Sequence, residues 1–294
     1  MRVSTWRISE RARIGITTAS EALAEAQERA VSGKRIVRPS DDPSGAARAQ
    51  GIRSAISDTQ MYARNASYAK EMLSQTEAAL GDVMSVLQEA RQLALSIGSP
   101  TLTEEGRAAL VSHVNSLQQR LRQIANTSTD GAYLFSGTSG TAPYQGQGGE
   151  YSGDAGQRMV EIGPGLTVGV TLPGESVFGT GLSDGPANLF DLLDELGKQI
   201  ASGSDASEVL AAVDASLKRV LSVRTQVGGW IQRSESAVSR MTDAEADLKT
   251  ALSRTEDVDL SEAIVELKRR ELVYQTALAV TARIGSQSLT DYLR

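Results

Sequence analysis

A long heptad run near the C-terminal end constrains the fold more than any other feature. Leu210, Val213, Leu217, Val220, Val227, Ile231, Val238, Met241, Leu248 and Leu252 hold one phase of alternating three- and four-residue steps. Arg224, Ser234 and Glu245 interrupt it as polar residues. This is the period of a helix that lays one face along a partner helix. Unbroken, the run makes a helix about 64 Å long at about 1.5 Å per residue. Tight globular domains rarely hold such a rod, whereas coiled coils and fibrous subunits do.

The partners are legible upstream. Thr5–Val31 reads as a helix with the narrow stripe Ala12, Ile16, Ala19, Leu23, Ala26 and Ala30. An alanine stripe buries too little apolar surface to offset the entropy of ordering it. This helix is therefore expected to be poorly ordered in a free monomer. Ser32–Ala47 breaks the pattern: Gly33 suits a left-handed helix end, and Lys34 and Arg35 suit the negative end of the helix dipole. Pro39 pushes Arg38 towards extended backbone. Asp42 is placed as an N-cap with Pro43 at the first helical position. A second seam follows through Ile52, Ile56, Ala63, Ala66, Leu73, Leu80, Leu87 and Ala94, stopping at Gly98-Ser99-Pro100. Thr103 caps the next helix, with Glu104 and Glu105 in its first turn and Leu110, Val114, Leu117, Leu121 and Ile124 on one face. These two helices form an antiparallel hairpin.

Between Asp130 and Asp184 glycine is frequent, and short apolar runs such as Met159–Ile162 and Leu166–Leu172 alternate with turn residues, which predicts a β-rich insert. Helix resumes at Asn188–Ala201, and a last helix starts at Asp259 with Glu262 as a capping-box-like pair. On it Leu260, Ile264, Leu267, Tyr274, Leu278 and Tyr292 share a phase that complements the weak first stripe. The fold class expected is mainly α: an elongated antiparallel helical bundle or coiled coil formed by both termini, with a small β-rich inserted domain. Its expected parts are residues 1–42 with 257–294, residues 43–129 with 188–256, and the insert 130–187.

Several segments then carry a family resemblance. Ser32–Ala47, Asn65–Leu95, Arg224–Gly229, Glu256–Ala263 and Ser288–Leu293 occur in the right order at both ends and resemble the signatures of the flagellin family of bacterial flagellar axial proteins. The positions that match are Gly33, Arg35, Pro39, Asp41, Asp42 and Pro43. Tyr133, Phe135 and Gly137 join them, within a Gly-x-Tyr-Leu-Phe-x-Gly run. Met1–Thr5, that run and the short insert are more similar to members at the hook–filament junction than to filament flagellins. The resemblance implies a structural subunit of the flagellum, exported unfolded and folded on assembly into a ring. Its implied partners are further copies of itself, hook-associated protein 1 on the hook side, flagellin on the filament side, and a flagellar export chaperone. Ile16, Leu23, Leu260, Ile264, Leu267, Tyr274, Leu278 and Tyr292 would form the assembly or chaperone surface. A compact flagellin and a secreted coiled-coil binding protein are the alternatives.

Composition agrees with slender seams: aromatics are 4% of the 294 residues and there is no cysteine. That removes disulfides, thiolate metal sites and cysteine nucleophiles. A net charge of −6 argues against nucleic acid or an anionic membrane as partner. No apolar run approaches the roughly 20 residues that span a bilayer, and the N-terminus lacks a secretory signal's apolar core. His113 is the sole histidine, and reads as a solvent or interface residue. Gly146–Gly149 lacks the Lys-Ser/Thr of a phosphate loop. The Lys268-Arg269-Arg270 run reads as a solvated face or a subunit contact. No nucleophile, base and oxyanion donor converge, so no enzymatic activity and no cofactor or metal are expected.

Overall fold

The computed structural model describes residues 2–97, 103–145, 150–180 and 188–292, with side chains between residues 10 and 283 of these and at 6 and 7. Its helices are α1 (Arg2–Ser32), α2 (Pro43–Ser96), α3 (Glu104–Ala125), α4 (Gly174–Phe178), α5 (Leu189–Ser202), α6 (Ser207–Glu256) and α7 (Leu260–Tyr292). Four short strands, β1 (Ser128–Thr129), β2 (Ala132–Tyr133), β3 (Met159–Gly163) and β4 (Leu166–Gly169), make two antiparallel pairs. The mainly α class with a small strand region is as the sequence predicts. Contacts divide the chain into two compact units, Met1–Asp58 with Ala244–Arg294, and Thr59–Asp243. The stop at Gly98-Ser99-Pro100 and the Gly146–Gly149 turn lie outside the described residues.

Caps sit where the residue chemistry puts them. The Thr103 side chain accepts from the Gly106 amide at 3.2 Å, Asn188 from Phe190 at 2.9 Å, and Gly203 ends α5 in the left-handed region. Each satisfies a backbone group that a helix end leaves orphaned.

In the larger unit, α2 and α6 run antiparallel. Lys70 pairs with Glu235, Glu77 with Arg224 and Arg91 with Asp214, so the α6 partner's number falls as the α2 number rises. Asp82 and Glu89 on α2 likewise share Arg120 of α3, and Glu89 lies 3.5 Å from the imidazole of His113. These half-exposed pairs fix register more than they add stability. The α2 seam is broader than the sequence suggests. Between the expected Ala66, Leu73, Leu80, Leu87 and Ala94 lie buried Ala69, Thr76, Val83 and Ala90, and alongside them a further column of Met72, Ala79, Val86 and Leu93. A helix covered on two sides needs that second column.

The α6 seam corrects the expected phase. Val213, Val220 and Val227 are fully buried, but the residues buried with them along the helix are Val209, Ser216, Ser234 and Ala237; Leu210, Leu217, Ile231 and Val238 flank the core half-buried. Ser234 is no interruption. It is 0% exposed and donates to the Trp230 carbonyl at 3.0 Å. Small residues mark the line of closest approach, where a leucine would not fit, and the serine hydroxyl is satisfied within its own helix. Arg224 does stay polar, pairing with Glu77.

The predicted insert is two hairpins, a coil and α4. Asp130 and Gly131 both have positive φ, +50° and +76°, the primed turn that suits a two-residue hairpin. Pro164–Gly165 closes β3 and β4. All three phenylalanines meet here: Phe135 stands edge-on to Phe178 at 5.2 Å, and Tyr144 lies 5.0 Å from Phe190 of α5. With Tyr144 and Tyr151 the three phenylalanines form one cluster, joining the strand segment to the helices. Trp230 packs half-buried against this unit's core, whereas Trp6 is 67% exposed.

Candidate assembly surface

The smaller unit holds the connector and the terminal helices. Gly33 has φ +68° and its amide bonds the Arg29 carbonyl at 3.0 Å, ending α1 as expected. Asp42 accepts from the Gly45 amide and the Ser44 hydroxyl, both at 2.9 Å, so it is the N-cap of α2. Asp41 accepts from the amides of Arg38 (3.0 Å) and Val37 (3.2 Å) and closes the turn before it. Backbone hydrogen bonds to Arg38, and to Gly45 for Asp42, hold both carboxyls below their usual range. Pro39, just before them, is exposed. Gly45 is buried, and a methyl there would overlap the Asp42 carboxylate and Ile36, which is itself buried.

Lys34 and Arg35 do more than complement a dipole. The Arg35 amide donates to the Glu256 carbonyl at 2.6 Å and its guanidinium to the Thr255 carbonyl at 2.8 Å and Asp42 at 3.4 Å. Val258 donates to the Gly33 carbonyl at 3.0 Å. The Glu256 carboxylate is buried and receives the Lys34 ammonium at 2.8 Å and the Arg53 guanidinium. Connector, α2 and the end of α6 are thereby held at one carboxylate. Sequence reading missed Glu256, Arg53 and Gly45, since their roles depend on residues distant in the chain or on space alone.

From there α7 returns antiparallel along α1. Ala22, Ala26 and Arg29 share a groove with Val258 and Ala263, while Arg11–Ala19 share one with Leu272–Thr281. Asp259 caps α7 by accepting from the Ser261 amide at 2.8 Å. Of the proposed surface residues, Ile16 and Leu23 on α1 and Leu267 and Tyr274 on α7 are half-buried, in phase with buried Ala26 and Ala263. Leu260, Ile264 and Leu278 are exposed, so the α7 face turned to α1 is rotated from the expected one and is smaller: Ala263, Leu267, Tyr274, Ala277 and Thr281. The small side chains let the helices approach closely. Tyr292's side chain lies outside the described ones.

Among the described residues, ten of the sixteen exposed large apolar side chains are on α1 and α7. Leu260, Val265, Leu272, Val273 and Val280 emerge on several sides of α7. Large apolar side chains exposed on more than one side of a helix mark surface that a partner covers. The remaining family positions fall in the larger unit: Tyr133 in β2, Phe135 buried in the aromatic cluster, and Gly137 (φ +70°) packed against Asp154. Asp154 accepts from the Thr138 and Gly156 amides at 2.8 and 2.9 Å. Among the described residues there is no group of three potential metal ligands, and no helix long and apolar enough to cross a membrane.

Helical termini that pair with one another and carry a bundle between them define an axial subunit of the flagellin type. The model for the bacterial flagellin N-terminal helical region matches residues 3–140, and that for the C-terminal helical region residues 210–293. Within that class the chain belongs to the family of flagellar hook-associated protein 3. It is 30% identical over 303 residues to the protein of that name from Escherichia coli (strain K12), covering 95% of this chain and 94% of the other. To its counterpart in Salmonella typhimurium it is 27% identical, with 98% of each covered. The fold is shared with a solved putative flagellar hook-associated protein from Vibrio parahaemolyticus, TM-score 0.65 at 22% identity, over 74% of this chain and all of that one.

Proposed function

We propose that this chain is a structural subunit of the bacterial flagellum that forms the junction ring between hook and filament. The observation that carries the reading is the exposed apolar surface on α1 and α7, within a family of hook-associated proteins. Burying a large apolar side chain contributes about 1.5–3 kcal/mol, so covering these residues in neighbouring subunits supplies the drive for assembly. On this reading residues 1–42 and 257–294 are an inner assembly domain that gains order on joining the ring. Residues 43–129 with 188–256 are the supporting bundle, and 130–187 an outer insert. Its neighbours are copies of itself, hook-associated protein 1 and flagellin. The chain leaves the cell unfolded, with an export chaperone covering Leu260, Ile264, Leu267, Tyr274 and Leu278 beforehand. The role is structural and needs no catalytic group.

Deleting the gene in its host tests this. Hooks without filaments, with flagellin lost to the medium, are expected by electron microscopy and blotting. Absent filaments with no flagellin in the medium would mean that the chain is itself the filament subunit. Normal filaments, unchanged once any second copy is removed, would overturn the reading.

A further inference from the structure

The stripe of α1 turned to α7 accounts for only one side of that helix. A second stripe with the same heptad step runs beside it: Arg7, Arg11, Ile14, Thr18, Glu21 and Glu25, all exposed, with Arg11 and Glu25 also at the rims of the α1–α7 grooves. Its charges are segregated, with two cations at one end, two acids at the other and uncharged residues between. Arg7, Arg11, Glu21 and Glu25 form no ion pair among the described residues, in contrast to neighbouring Arg13, which pairs with Glu10, and Glu28, which pairs with Arg38.

Nothing within α1 accounts for this order. Arg7 with Arg11, and Glu21 with Glu25, are like charges at the four-residue spacing that disfavours an isolated helix. Both pairs have the same internal spacing and lie two heptads apart, about 21 Å along the axis. The stripe is therefore complementary to itself after a shift of two heptads.

We infer that a second copy of this chain packs its α1 alongside, pointing the same way and displaced by about 21 Å, so that Arg7 and Arg11 of one copy meet Glu21 and Glu25 of the next. The inference rests on the junction reading for its parallel sense, since subunits on a polar axis share one direction; the constant axial step makes that ring a turn of a helix and not a flat circle. Ile14 and Thr18 lie between the charged pairs and are covered by the same contact. The charges set the axial register, and the apolar surface of α7 supplies the drive.

The absence of cysteine makes the register directly measurable. Two chains with single cysteines are produced together in the host without its native copy, flagella are isolated, and disulfide dimers are counted after mild oxidation. Arg7→Cys with Glu21→Cys, and Arg11→Cys with Glu25→Cys, are expected to cross-link. Cross-linking of Arg7→Cys with Glu25→Cys and of Arg11→Cys with Glu21→Cys instead would show antiparallel packing and overturn the inference. So would no cross-link in any pair when both chains are recovered in flagella. As a second readout, R7E/R11E and E21R/E25R should each lower recovery in flagella several-fold, and the four changes combined in one chain should restore it. All four sites are exposed, and circular dichroism confirms that the variants fold. Absence of the unmodified chain from flagella would instead overturn the junction reading itself.

Discussion

Replacing Glu256 by glutamine separates the charge of the connector clamp from its backbone. The residue is 5% exposed, yet the side chains of Lys34 and Arg53 remain 42% and 45% exposed. Both cations can return to water when the carboxylate is removed, so no charge is stranded. What is lost is two charge-assisted hydrogen bonds, at about 1.5 kcal/mol each in so open a setting, less what the amide oxygen keeps from one donor. The net is about 2 kcal/mol. The bonds from Arg35 to the Glu256 carbonyl and from Val258 to the Gly33 carbonyl are main-chain and survive. The pH dependence has a definite sign. Burial pushes the carboxyl up, but hydrogen bonds from Lys34 and Arg53 outweigh it and the folded value lies below the ordinary 4.5. The stabilisation is therefore present above that value and is lost as pH falls through the folded one. Urea unfolding followed by circular dichroism, with proteolysis of the connector alongside, measures both. The midpoint should fall for the variant at pH 7, and the difference should shrink as the pH is taken down below 4.5. Equal midpoints at neutral pH, or a gap unchanged in acid, would refute the reasoning.

Gly45→Ala places a methyl against the Asp42 carboxylate and Ile36, so it should cost about 1–2 kcal/mol through loss of the α2 cap, read as a lower denaturation midpoint. At Ser234 the size of the side chain decides the outcome: Ser234→Ala should change stability by less than about 1 kcal/mol, whereas Ser234→Leu should cost about 1–3 kcal/mol by overpacking the α2–α6 seam. Phe178→Ala opens the aromatic cluster and should cost about 3–5 kcal/mol, with proteases cutting first in the strand segment.

What the sequence made legible were features whose chemistry is local. Gly33, Asp42, Thr103 and Asp259 act on backbone groups within four residues, and each is found where the chain order places it. The α3 face, built from large aliphatics, was equally plain. Phase within a seam was not, because helix packing is decided by closeness and not by hydrophobicity. Ser216, Ser234 and Ala237 take the centre of α6 by being small, and Leu210 and Leu217 yield it. The same effect turns α7, where Ala263 and Ala277 face α1 beside Leu267 and Tyr274, while Leu260, Ile264 and Leu278 stay exposed. Glu256 was invisible for a different reason: its partners Lys34 and Arg53 lie more than 200 positions away, and only the returning chain brings them to it.

The placement of the two tryptophans has an optical consequence. Trp6 stands in water on a terminal helix, and Trp230 is half-sheltered in the bundle of the other unit. Emission from the chain is therefore a sum of two colours, one redder and open to quenchers, one bluer and shielded from them. Joining a ring would shift the first and leave the second as an internal standard, so a single unlabelled cuvette can separate capture of the ends from melting of the middle.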